Sequence, residues 1–360
     1  MATPHLFSEY RLKDITLRNR IGVSPMCMYS SDDGVANDWH LVHLGSRAVG
    51  GAGLVLCEAT AVTPDGRISP QDAGLWNDAQ IEPLARVNRF IAAHGAVPGI
   101  QLAHAGRKAS THRPWEGRGQ VPDAEGGWLA AGPSALAFDP ATERTPHELT
   151  LEEITGVVEA FRAAAGRAQA AGYRWLEIHA AHGYLAHEFL SLLSNRRTDE
   201  YGGSFDNRIR FTLEATRAVR AVWPENLPLT MRISATDWTE GGWTPEDSVA
   251  LARRLKEEGV DLVDCSSGGN VPHARIPVAP DYQVFLSEKI RREAGIATAA
   301  VGMITDAAQA DAIIREGRAD LVLLARGMLS DPYWPVHAAR ALGTEETLKA
   351  LLPPQYARAF

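Results

Sequence analysis

Cysteine is scarce in this chain: three residues in 360, at Cys27, Cys57 and Cys265, far apart from one another. An odd, scattered set offers no disulfide framework and suits a reducing, cytoplasmic setting. Lysine is scarcer still for its type, with five residues against 31 arginines. No apolar run approaches the roughly 20 residues that span a bilayer. The opening residues Met1-Ala2-Thr3-Pro4-His5 show neither the basic nor the apolar region of a signal peptide. A formal charge of −8 argues against a nucleic-acid surface. No G-x-G-x-x-G turn follows an early strand. The nearest match, Gly50-Gly51-Ala52-Gly53, precedes a strand, which argues against a Rossmann sheet. What remains is an average globular composition, 45% hydrophobic and 22% charged. A chain of this length buries about three quarters of its unfolded surface without disulfide or metal staples.

Short apolar runs recur along the chain, at 20–24, 54–57, 97–102, 175–178, 229–233, 262–265, 297–301 and 321–324. Such runs, with few alternating polar positions, read as parallel strands buried on both faces. Helical patterns separate them. One spans 151–171, with Ile154, Val157, Val158, Phe161 and Ala165 at helical spacing behind a Thr150-x-x-Glu153 capping box. Thr244 before Pro245 and Asp306 before the 307–314 pattern read as further helix starts. Gly53, Gly95, Gly172, Gly259, Gly295 and Gly317 stand just before strands, where a helix end takes a left-handed residue. Eight strand–helix units predict a single (β/α)8 TIM barrel over 1–360. The segment 105–150, rich in Gly and Pro and carrying Trp115 and Trp128, predicts a capping insertion after the third strand.

Barrel chemistry sits where strands end. The loops after strands seven and eight carry Gly302 and Ala325-Arg326, a backbone that approaches closely and a guanidinium fork, which together suit a phosphate. Strand four leaves as His179-Ala180-Ala181-His182-Gly183-Tyr184. Two imidazoles there can hold a metal, an anion or a carbonyl oxygen. No carboxylate occupies the expected third-ligand position, so hydrogen bonding to a substrate oxygen is favoured over metal ligation. Tyr184 carries a phenol able to give a proton. Cys27 reads either as a small buried residue or as a thiol that tunes a cofactor. Cys57 and Cys265 read as core.

These residues, in order on successive units, carry a resemblance. The stretches are Leu6-Phe7, Asn19-Arg20, Ser24-Pro25-Met26-Cys27-Met28-Tyr29 and Gln101-Leu102-x-His104-x-Gly106-Arg107. With them go His179-Ala180-Ala181-His182-Gly183-Tyr184-Leu185, Asn195-Arg196-Arg197-Thr198-Asp199-x-Tyr201-Gly202-Gly203-Ser204 and Leu324-Ala325-Arg326. Over nearly its whole length the chain resembles the Old Yellow Enzyme family of flavin-dependent ene-reductases, in its thermophilic-like branch.

The resemblance implies FMN at the top of the barrel and NADPH as reductant. Ser24, Pro25, Met26, Cys27, Ala59, Gln101 and Arg232 would line the flavin ring, and Gly302, Ala325 and Arg326 would hold its phosphate. His179 and His182 would bind the oxygen of an α,β-unsaturated carbonyl or nitro compound, with Tyr184 as proton donor. Tyr29 and Lys108 would shape the substrate pocket. Cys27 marks the branch, since other branches carry Thr there. In this branch the C-terminal tail, here 353–360, can reach a neighbouring subunit, so Arg358 would line a partner's site in a homodimer or dimer of dimers. Against the ene-reductase stand a cofactor-free phosphate-binding barrel of aldolase or isomerase type and a non-catalytic binding barrel. A demethylating or dienoyl-reducing flavin enzyme of this fold usually adds an iron–sulfur cluster and a Rossmann domain, which 360 residues and three scattered cysteines do not provide.

Overall fold

A computed structural model describes residues 5–356 and 358 of the chain. The eight apolar runs are eight parallel strands of one closed barrel: β1 (Ile21–Val23), β2 (Leu54–Ala61), β3 (Val97–Ala103), β4 (Trp175–Ala180), β5 (Leu229–Ser234), β6 (Leu262–Ser266), β7 (Ala297–Val301) and β8 (Leu321–Leu324). They pair in chain order, and β8 closes the ring on β1 with Leu323 opposite Gly22. Every residue of β2, β4, β5, β6 and β8 is buried. Helices cover one face and the barrel lumen the other, which is why these strands read as unbroken apolar runs.

The covering helices are α1 (Asp38–Val49), α2 (Ile81–Ala93), α3 (Leu151–Ala170), α4 (Arg210–Arg220), α5 (Pro245–Glu257), α6 (Val284–Ala294), α7 (Ala307–Arg315) and α8 (Trp334–Ala341). The expected starts of α3, α5 and α7 are present. Thr150 and Glu153 form the capping box, Thr244 is capped reciprocally by Asp247 with Pro245 at the first turn, and Asp306 accepts from the Gln309 amide. One glycine differs from expectation. Gly95, Gly172, Gly259, Gly295 and Gly317 have positive φ, but before β2 it is Gly51, at φ 100°, that takes the left-handed turn and not Gly53. Gly53 is needed for space, because a Cβ there would meet the Asn19 carbonyl oxygen at 2.7 Å. Cys57 and Cys265 are buried in strands, as expected for core residues.

At the N-terminal end of the barrel an antiparallel hairpin, Tyr10–Leu12 with Ile15–Leu17, lies against the segments leading into β5 and β6. At the opposite end the segment 105–150 leaves β3 as a 3-10 turn (Gly106–Lys108). It continues through a second turn (Asp123–Glu125) and two two-residue strands, Ala131–Gly132 and His147–Glu148, which pair in parallel before α3. Where this segment meets the barrel, the Glu188 side chain from the short helix Leu185–Leu190 fills the gap, and its Oε1 accepts the Arg107 amide at 2.8 Å. Gly106, at φ 60°, faces that carboxyl with no room for a Cβ. Gly106→Ala should therefore cost about 1–3 kcal/mol by overpacking and left-handed strain. Denaturant midpoints of the two proteins check this, and equal midpoints would show that the junction yields freely.

Candidate active site

Residues two apart on a barrel strand point to the same side. Glu177 and His179 on β4 therefore both face the lumen, and Glu177 aligns with Gln101 on β3 while His179 aligns with Arg232 on β5. The contacts follow that register. Gln101 Nε2 donates to Glu177 Oε1 at 2.8 Å. Arg232 Nε stands 3.1 Å from Asp264 Oδ2, and its Nη1 donates to Ser24 Oγ at 2.9 Å. All of these side chains are buried. Burial raises the proton affinity of both carboxyls, Asp264 adding to the rise on Glu177, while Arg232 pulls both back. Ser24, Gln101 and Arg232 are thus brought together beneath the barrel mouth. Ala59 joins them on β2, directly opposite Gln101.

The β1 exit continues as Pro25, Met26, Cys27, Met28 and Tyr29, all half-buried. A bulge in β2 between Cys57 and Ala59 turns Glu58 toward this loop. Its carboxylate accepts the Met28 amide at 2.9 Å and lies 3.3 Å from His40 Nε2. Burial, then Asp72 and Glu58, push the Cys27 thiol up, so it is held protonated. Tyr29, at φ 51°, leans on Trp115 of the capping segment with ring centroids 5.8 Å apart.

At the β4 exit three rings converge. His179 lies edge-on to both His182 and Tyr184, with centroids 5.1 Å apart in each case. His182 Nε2 is 2.7 Å from Ser266 Oγ, whereas His179 Nδ1 is buried without a partner. Burial first and the Arg232 charge second push both imidazoles well below the ordinary histidine range. They are neutral N–H donors at physiological pH. Burial likewise raises the Tyr184 phenol, keeping its proton in place. Lys108 stands over the Tyr184 ring at 5.2 Å, but its Nζ is spent on two carbonyls, His182 O at 2.8 Å and Gly269 O at 3.0 Å. It ties the β4 exit to the β6 exit.

The exits of β7 and β8 enclose a cavity of about 70 Å³ lined by Val301–Thr305 and Leu323–Gly327, so Gly302, Ala325 and Arg326 share one small recess. Arg326 is exposed and meets no carboxylate among the described residues; its Nη2 reaches only the Met303 sulfur at 3.6 Å. An uncommitted guanidinium at a recess entered by Gly302, together with the orphaned His179 nitrogen, fits a ring-plus-phosphate cofactor laid across the barrel mouth. Among the described residues no group of three His, Cys, Asp or Glu could hold a metal ion.

Arg358 is exposed and does not join this constellation. The chain before it, 350–355, lines a cavity with Arg18, Val49, Ala93 and His94, beside the ends of α1 and α2, and Tyr356 rests on Tyr333. The rest of the expected tail, 357 and 359–360, lies outside the described residues. Several buried groups of the site escape the sequence pattern: Glu58, Glu177, Asp264, His187, Glu188 and Asp237. Glu177 and Asp264 sit inside runs read as apolar, Glu58 just past one, and His187, Glu188 and Asp237 in the segments that follow β4 and β5. The available signal is alternation with a known site residue, as for Glu177 two places before His179.

Comparison with known proteins agrees with this geometry. Residues 5–345 match the NADH:flavin oxidoreductase / NADH oxidase family, and the chain belongs to it. This is the Old Yellow Enzyme family, and the chain is a flavin oxidoreductase with the barrel expected of it. It is 52% identical to an NADPH dehydrogenase of Geobacillus sp. (strain WCH70), over 94% of this chain and 95% of that protein. It is 48% identical to an NADPH dehydrogenase of Bacillus subtilis (strain 168), over 99% of both. Among solved structures, morphinone reductase in complex with tetrahydroNAD superposes with a TM-score of 0.77 at 29% identity, over 96% of this chain and 94% of that one. No helix among the described residues is long and apolar enough to cross a membrane.

The Glu188 carboxyl, fully buried, is pushed up to about 8, chiefly by burial and despite Arg107 beside it. The unfolded chain releases this proton near 4.5. Between those values this carboxyl binds more protons in the folded state, so its contribution to stability falls as pH rises from about 4.5 to about 8. Glu188→Gln should flatten that decline, so that the drop in Tm between about pH 5 and pH 8 shrinks by roughly 5 °C. Parallel Tm profiles for the two proteins would show that Glu188 keeps an ordinary affinity.

Proposed function

We propose that this flavin oxidoreductase binds FMN, takes hydride from NADPH and reduces the activated C=C bond of α,β-unsaturated carbonyl or nitro compounds in a ping-pong cycle, in the cytoplasm. The observation that carries this is the pair of buried, neutral imidazoles, His179 and His182, converging with the Tyr184 phenol at one strand exit. The names of the relatives support NADPH, and the complex of morphinone reductase with tetrahydroNAD supports a pocket open to a nicotinamide ring.

Ser24, Pro25, Met26, Cys27, Ala59 and Gln101 would line the flavin ring. Gly302, Ala325 and Arg326 would take its phosphate. Bound there, a flavin supplies an acceptor for the nicotinamide hydride and a donor to the alkene. Arg232 brings a fixed positive charge beside Ser24, which favours negative charge on a ring placed there. His179 and His182 donate hydrogen bonds to the substrate oxygen. Aimed from a dry site, they stabilise the charge that develops on it as the β carbon is attacked. Tyr184, with its proton held firmly, delivers that proton to the α carbon. Tyr29 and Trp115 wall the outer side. Arg358 is exposed, and in a homodimer or dimer of dimers it would complete the partner's site.

An aldolase using a lysine Schiff base is disfavoured by one contact pattern. Lys108, the lysine nearest the strand exits, has its Nζ committed to two backbone carbonyls.

The purified protein should be yellow and release FMN on denaturation. Anaerobic NADPH should bleach it, and cyclohexenone should restore the colour. A protein that stays colourless after incubation with FMN would remove the redox mechanism. With flavin loaded, His179→Ala combined with His182→Ala should keep the flavin while kcat/KM for the enone falls by about 10²-fold or more. An enone rate equal to that of the parent would remove the oxygen-binding role of the pair.

A further inference from the structure

The turn that carries His182 and Tyr184 is held in an uncommon shape. His182 and Gly183 are consecutive left-handed residues, at φ 61° and 73°. A non-glycine residue costs about 1–2 kcal/mol there, and it persists only where its surroundings over-determine it. Strand pairing has already ended at Ala180. One backbone hydrogen bond spans the turn, from the Tyr184 amide to the Ala181 carbonyl at 3.2 Å, and side chains fix the rest. Ser234 Oγ accepts the His182 amide at 2.9 Å, and Lys108 grips the His182 carbonyl from the other side.

The third fixing is a relay. His187 is the third residue of the helix Leu185–Leu190, for which Tyr184 is the N-cap. Its ring reaches back so that Nδ1 accepts the Gly183 amide at 2.9 Å. This is capping-box logic displaced one residue outward. A nitrogen that accepts an N–H carries no proton, so the proton of His187 is on Nε2. Nε2 lies 2.9 Å from Asp237 Oδ1, close enough for charge attraction though off-line for a hydrogen bond. Asp237, beyond the end of β5, is itself tied down. Its Oδ2 accepts from Ser191 Oγ at 2.5 Å, from the Trp243 amide at 2.8 Å and from Asn270 Nδ2 at 3.4 Å. His187 and Asp237 are both fully buried.

We propose that Asp237 and His187 are positioning residues for the oxygen-binding pair. A carboxylate anchored on the β5 exit loop orients an imidazole, which pulls the Gly183 amide and so sets where His182 and Tyr184 stand relative to His179. Neither residue touches substrate. The role rests on the reading that His179, His182 and Tyr184 face the substrate. A buried carboxylate–imidazole pair is costly to desolvate, and an apolar pair of equal volume would fill the same space. What the polar pair supplies is direction: its outward end is one backbone N–H in the catalytic turn.

The test uses the flavin-loaded enzyme and two readouts. Hydrogen exchange across peptide 180–186 reports the Gly183 amide without reference to activity. Titration with p-hydroxybenzaldehyde, followed by the long-wavelength band of the flavin, reports how well the imidazoles hold an oxygen. His187→Ala should expose the Gly183 amide to exchange and weaken the phenol at least ~10-fold with flavin content unchanged. His187→Gln, whose amide can accept and donate in turn, should recover most of both. Phenol affinity within about twofold of the parent in His187→Ala, or protection unchanged at Gly183, would overturn the proposal. Should His187→Ala fail to fold, Asp237→Asn takes its place with the same expectations. Failure of both to fold would show a purely structural pair and also overturn it. If the parent binds no phenol while exchange responds as expected, the oxygen-binding reading fails and the relay stands.

Discussion

One guanidinium, buried in the middle of the barrel, ties the site to the fold. Arg232 enters the lumen from β5 and meets Asp264 of β6 and Ser24 at the end of β1. On the other side Glu177 of β4, which feels the Arg232 charge, holds Gln101 of β3. Five of the eight strands thus contribute a polar group to one buried cluster. Burying a charge is unfavourable by several kcal/mol unless it is paired and hydrogen-bonded. The cluster therefore tolerates little change in strand register. A slip of one residue on β5 would turn Arg232 out of the lumen and leave Asp264 without its cation. The charge that would act on a flavin ring is also a constraint that keeps the strands aligned.

That constraint reaches the histidines through electrostatics as well as geometry. Arg232 sits opposite His179 in the β4–β5 register, and after burial its charge is the largest influence depressing both imidazoles. The pair thus remains a neutral donor set, which in the proposed function would receive negative charge from a substrate without first losing a proton of its own. Two carboxyls share the lumen with one arginine, and burial raises both, which favours a state in which one of them keeps its proton. The local charge then balances, and Arg232 need not be neutralised twice.

Much of this is legible in the residues, for a physical reason. Strands covered on both faces must be apolar almost throughout, so runs such as 54–57 and 321–324 stand out, and the rule that barrel chemistry sits at strand exits points to His179, His182, Arg232 and Arg326. The same covering hides the lumen. Glu177 and Asp264 look like isolated polar residues within apolar strands, and nothing in their neighbours says which side of the barrel they face. Glu58 needs a bulge that no local pattern announces. Gly51 takes the left-handed turn expected of Gly53 because a glycine required for space and one required for a left-handed turn look alike in a sequence. His187 and Asp237 lie 50 residues apart, and only the closed barrel places the exits of β4 and β5 side by side.

The two walls of the mouth are built with different interactions, and the difference has a consequence. The β4 wall is held by fully buried groups, His187, Asp237, Ser191 and Asn270, each hydrogen-bonded or paired inside the protein. Losing any one leaves a buried partner unsatisfied, which costs about 1–3 kcal/mol. The capping segment is held along its outer part by surface contacts such as Arg144 with Asp123, both well exposed. Pairs of that kind contribute little to stability. Trp115, which meets Tyr29 across the mouth, is itself largely exposed. Substitutions in the outer capping segment therefore cost little in folding, while substitutions behind the β4 turn cost much. A fold arranged in this way keeps the turn that carries His182 and Tyr184 constant and leaves the opposite wall free to vary, as the proposed function would require of a site that accepts substrates of different shape.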